Sequence, residues 1–240
     1  MTNRTAETSP LVYARVAGLA YVIIILLGMF GVGFVESKLV VPGNDGATVN
    51  NIVANGLLFR ISIYSEIMMF VLVILLSLAL YVILKTVNRN LALLALLWRL
   101  GEAIIGGGIT VLSGLIPLLL LNGDGAFETE QLQALVGLFL QVRNAGLDVV
   151  LIFIGMGGTL FCYLFFKSRY VPRLLAIWGM VTYLSMLMIA SISILSPNLP
   201  ETIKMAFYVP GGLFEILFGS WLLIKGINVE EWEKRVFGSA

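Results

Sequence analysis

Residues 93–108 read LLALLWRLGEAIIGGG, and the fold turns on which solvent surrounds them. The run is apolar except for Arg99 and Glu102 at its centre. In a soluble core such a pair would be a local oddity. Inside a bilayer each ionisable group costs about 2.5–3.5 kcal/mol at the helix centre, and it persists by facing the interior of a helix bundle.

The rest of the chain decides for the bilayer. Of 240 residues 59% are hydrophobic and only 12% charged, against roughly 25% charged in ordinary soluble domains. Mean hydropathy is +0.99. Apolar runs of about 20 residues, enough to cross a ~30 Å hydrocarbon core, recur along the chain. The reading is an all-α, polytopic membrane protein with a six-helix bundle as its single domain. Its spans fall at about 11–35, 57–84, 91–121, 130–166 (membrane part about 146–166), 172–195 and 207–227. Ser9 before Pro10 reads as an N-cap with proline at the first helical position. Met1–Pro10 is short and polar, and the apolar run behind it is too long for a signal-peptide core, so the first span reads as an uncleaved helix.

Lysine and arginine in the connections set the expected orientation. Arg4, Arg15, Lys85, Arg89, Lys167, Arg169, Arg173, Lys225, Lys234 and Arg235 fall on one side, and only Lys38 and Lys204 on the other. Both termini are therefore expected in the cytoplasm. Trp98, Trp178 and Trp221 lie near the basic ends of their helices, as an interfacial belt would. The loop 36–56 contains a Pro-Gly-Asn-Asp-Gly turn, and Thr48–Asn55 reads as a short helix with Asn51 and Asn55 on one face.

Composition also excludes. A net charge of +1 leaves no basic face for nucleic acid. Cys162 is the single cysteine and there is no histidine, which removes disulfides, histidine catalysis and nearly every common zinc or copper site. No cofactor is expected. No two glycines are four residues apart, so a GxxxG dimer face is absent and the glycines read as close-packing positions within one chain. Gly155–Thr159, GMGGT, reads the same way, since no strand precedes it as a phosphate loop requires.

The informative residues are Arg60, Glu66, Arg99, Glu102, Arg143, Asp148 and Glu215, all inside or at the ends of spans. At ~1.5 Å per residue, Arg99, Glu102 and Glu215 lie roughly 12–17 Å from the basic side, near the midplane. Glu66 and Asp148 lie roughly 27 Å up, with Arg60 and Arg143 further out. Arg99 and Glu102, three residues apart, share a helix face and can pair. Three arginines face four carboxylates, so one carboxylate lacks a formal partner. Glu215 is that candidate, either titrating in proton coupling or sitting neutral and hydrogen-bonded in the bundle. Its helix contains YVPGGLFE, where Pro210 removes a backbone donor and predicts a kink or break.

Four segments, YARVAGLAY (13–21), TVNNIVANGLLFR (48–60), VNRNLALLALLWRLGEA (87–103) and YLFFKSRYVPRLLAIWG (163–179), with Glu215 and the closing WLLIKG, resemble the bacterial membrane protein family called domain of unknown function 4386. The resemblance runs from about Tyr13 to Gly226. It implies six spans and the bacterial cytoplasmic membrane, and it implies no activity.

The expected function is binding of a small amphiphile, lipid or anionic molecule, with or without its transport. Asn51, Asn55, Arg60, Glu66, Arg143, Asn144 and Asp148 would form the mouth of an outward cavity, with Arg99, Glu102 and Glu215 at its floor. Membrane lipids are the expected surroundings, and a homo-oligomer would suit a carrier of so few helices. The alternatives are a non-catalytic partner subunit locked by its charges, or an intramembrane enzyme working through carboxylates such as Glu102 and Glu215. The reading leans away from an enzyme because no nucleophile is evident.

Overall fold

A computed structural model describes residues 9–123, 127–196 and 199–238, and every regular element among them is helical. Six helices are long and apolar enough to cross a membrane. They are α1 (Pro10–Leu39), α3 (Gly56–Leu84), α4 (Arg89–Leu121), α5 (Thr129–Ser168), α6 (Arg173–Leu195) and α7 (Glu201–Ile224). Two shorter helices accompany them, α2 (Asp45–Ala54) in the first loop and α8 (Val229–Phe237) after the last span.

Local chemistry sets the ends. Ser9 caps α1, its hydroxyl accepting from the Leu11 amide at 3.4 Å ahead of Pro10. Asn88 caps α4 through the Leu91 amide at 3.0 Å. Asn44 caps α2, which is why that helix begins at Asp45 and not at Thr48 as expected. Arg169 closes α5 in the left-handed conformation, φ +62°, and Pro172 starts the next helix.

The sequence leaves open whether the fourth span is continuous, and the sixth differs from expectation. The fourth span is one continuous helix of 40 residues, ~60 Å long against a ~30 Å core, so its first turns project beyond the bilayer. The sixth begins at Glu201, behind Pro200, about two turns before the expected start at 207. It runs through Pro210 to Ile224 without breaking, because Pro210 is exposed and costs one backbone bond while Gly211 lets the helix close on Met186 and Thr182 of α6.

Two spans contain π-helical turns, Met29–Glu36 in α1 and Val111–Leu115 in α4. The second has a visible cause: Pro117 cannot bond to Ser113, and the wider turn relieves the clash with that carbonyl. The first falls where Gly28, Gly31 and Gly33 weaken the ordinary helix.

The spans pack in chain order and close on themselves: α1 on α3, α3 on α4, α4 on α5, α5 on α6, α6 on α7 and α7 on α1. Rings from α1, α5 and α7 fill the axis on the side of the basic loops. Tyr21 meets Phe218 edge-on at 5.7 Å, Phe165 meets Phe218 at 5.3 Å, and Phe214 stacks on Phe218 at 5.2 Å. Lipid is as apolar as these side chains, so shape and contact hold the bundle rather than exclusion of water. Glycine carries much of that fit. A Cβ on Gly18 would fall 2.6 Å from the Gly219 carbonyl oxygen, so α1 and α7 cross backbone to backbone.

Candidate functional site

The bundle gathers its buried charge into three groups. The outermost is built around Glu66, 5% exposed on α3 and flanked by both π-turns. Gly31 of the first lies against it: a Cβ there would make an ordinary contact with Glu66 Oε1 at 3.4 Å. Thr110, the residue before the second, donates its hydroxyl to Glu66 Oε2 at 3.3 Å. Arg143 of α5 reaches the other oxygen, Oε1, through Nη2, and its Nε lies 3.4 Å from Glu36 Oε2. A π-turn takes up one extra residue and so rotates the helix beyond it by ~100°, which is how Glu36 at its end comes to face α5.

Above this triad lies a cavity of about 450 Å³. Val35, Leu39, Val41, Phe59 and Leu140 give it an apolar wall. Glu36, Asp45, Thr48, Gln141, Arg143 and Asn144 supply the polar atoms. The cationic Arg143 is already engaged by two carboxylates, so Glu36, Asp45 and Glu66 outnumber it. The formal charge of these four side chains is negative.

The second group surrounds Asp148, five residues on from Arg143 and therefore on another face of α5. Asp148 is 7% exposed. Its Oδ2 accepts from the Ser193 hydroxyl at 2.6 Å and lies 3.6 Å from Lys204 Nζ, while Oδ1 accepts from Tyr208 at 3.1 Å. A cavity of about 280 Å³ adjoins it, and Asn144 lines both this cavity and the larger one.

The third group lies near the midplane. Arg99 and Glu102 pair at 2.7 Å and are 4% and 2% exposed. The facing atoms, Arg99 Nη1 and Glu102 Oε2, make no aligned hydrogen bond despite that approach. Gly157 makes the space, since a Cβ on it would come 2.8 Å from Arg99 Cγ. On the far side the Tyr183 hydroxyl donates to Glu215 Oε1 at 2.8 Å, and Tyr21 lies 3.4 Å from Tyr183 oxygen to oxygen. Glu215 is half-buried and within the field of Arg99.

Measured against expectation, the groups divide differently. Arg60, expected to face inward, does not. It is exposed in the first turn of α3, with no ion pair among the described residues, because its long side chain reaches the boundary from there. Asn51 and Asn55 are both half-buried and serve the backbone: Asn51 Nδ2 donates to the Leu39 carbonyl at 3.2 Å, and Asn55 Nδ2 to the Asn51 carbonyl at 2.9 Å. They hold the wall of the cavity rather than line it. Glu36 and Lys204 read as loop residues in the sequence, and Tyr21, Tyr183, Tyr208, Thr110 and Ser193 carry no signal there as partners. Lys204, Tyr208, Gly211 and Glu215 follow one face of α7, a stripe that becomes legible once the helix begins at Glu201. No group of three or more metal-ligating side chains exists among the described residues.

A family model described as Domain of unknown function (DUF4386) matches residues 16–226. The chain belongs to that family. No curated protein and no solved structure matches it.

Proposed function

We propose that this protein, in the bacterial cytoplasmic membrane, binds a small amphiphile whose head group carries an amine or other positive charge, in the cavity above Arg143. The observation that carries this reading is the cavity itself, about 450 Å³ with apolar walls at one end of the bundle. That volume lies in the range of small-molecule sites, and convergent polar groups beside apolar walls suit a ligand with a head and a tail. The wall has two carboxylates, Glu36 and Asp45, against one arginine that Glu66 already neutralises. The sign of the site turns the expectation from an anionic head group toward a cationic one.

A second reading holds for the midplane group. Arg99 and Glu102 are too enclosed to receive a ligand, which supports a structural role in joining α4 to its neighbours.

Native mass spectrometry of the gently purified protein tests the first reading, with Val41→Trp filling the cavity without touching its charges. The expected result is an amine-bearing adduct on the wild type and none on the variant at equal thermal stability. Adducts unchanged by the filled cavity would reject it.

A further inference from the structure

The opposite end of the bundle carries a pocket of about 390 Å³. Lys85 after the last turn of α3, Arg89 at the first turn of α4 and Arg235 on α8 converge there, with Tyr81, Thr86 and Val236 completing the lining. No carboxylate lines it among the described residues. Lys85 and Arg89, two exposed positive charges at one opening, repel each other, and an anion between them relieves that repulsion.

The pocket is built rather than incidental. Arg235 is half-buried and held, its Nη2 donating to the Lys167 carbonyl at 3.0 Å. Thr86 donates to the Ile83 carbonyl at 2.9 Å and lies 2.8 Å from the Tyr170 hydroxyl, which ties the α3–α4 turn to the start of α6. Lys85 and Arg89 are exposed, with no ion pair to any described carboxylate. The positive end of the α4 dipole points the same way. All of this sits where α3 ends and α4 begins, at the junction of two helices of membrane-crossing length.

We propose that this pocket binds the phosphate group of an anionic phospholipid in the adjacent leaflet. Arginine's planar fork matches phosphate oxygens, and lysine adds a point charge. The site is separate from the outer cavity and does not depend on what that cavity holds.

The test compares phosphatidylglycerol with phosphatidylcholine binding by native mass spectrometry. Lys85→Gln with Arg89→Gln removes two exposed charges and leaves the Arg235 contact intact. Arg173→Gln with Lys225→Gln removes two charges from the neighbouring pocket on the far side of Tyr170. A hydrogen bond to a charged group is worth about tenfold or more, so losing two direct contacts to the phosphate should weaken phosphatidylglycerol binding by about 100-fold. The control pair should change it by much less. Equal losses in the two pairs, or no loss in the first, would overturn the site. Inorganic phosphate should leave the bound lipid in place, and displacement by it would mean a free-anion site instead.

Discussion

Arg99 and Glu102 form the most enclosed ion pair among the described residues, and their contribution depends on what is removed. Taking away one partner leaves a lone charge in the bundle, which costs about 3–5 kcal/mol, whereas replacing both with apolar residues of similar volume is often neutral. Arg99→Met and Glu102→Leu should therefore each lower stability strongly, and the double variant less than either. Thermal denaturation in detergent checks this, and a double variant as unstable as the sum of the singles would refute it. At this scale the site was partly legible. Six of the seven charges noticed inside spans take part in the clusters, because an ionisable side chain in an apolar run has few other places to go. Their partners were not legible. Tyrosine, serine and threonine are common in spans, and nothing in the spacing of Tyr183 marks it as the donor to Glu215.

Elements were easier to read than their irregularities. Six apolar helices of membrane length appear, as expected, though the sixth starts about two turns earlier, since about 20 largely apolar residues leave little choice of element. The π-turns beside Glu66 were invisible, because a single widened turn leaves no period in the sequence. Glycine shows how helices meet. Gly18→Ala must push α1 off the Gly219 backbone, which cannot rotate away as a side chain can, and should cost at least the 1–3 kcal/mol typical of overpacking. Gly108 has nothing within 4 Å of a Cβ, so Gly108→Ala should leave stability unchanged or raise it by up to about 1 kcal/mol. Equal effects at the two positions, measured by the same melts, would contradict the crossing of α1 and α7.

For the whole molecule, six spans closing in chain order leave the start of α1 and the end of α7 on one side, and basic residues crowd that side. Cys162 is buried, and Cys162→Ala gives a background for labelling. A cysteine at Lys38 should react with an impermeant maleimide in intact cells, and one at Glu233 only after permeabilisation; the reverse would invert the topology. The two faces then differ in sign: a carboxylate-rich cavity above Arg143, and at the other end a basic pocket that no described carboxylate lines. Composition alone hid this, because a net charge of +1 says nothing about where the charges lie. The outer cavity is the centre of the account, and its sign is what can be measured most directly. Binding of an alkyltrimethylammonium and an alkyl sulfate of equal chain length should be compared on the wild type and on Glu36→Gln with Asp45→Asn. The account predicts that the cation binds about tenfold tighter or more, a difference of about 1.4 kcal/mol, and that the double variant loses the preference. Equal or tighter binding of the sulfate by the wild type would contradict it.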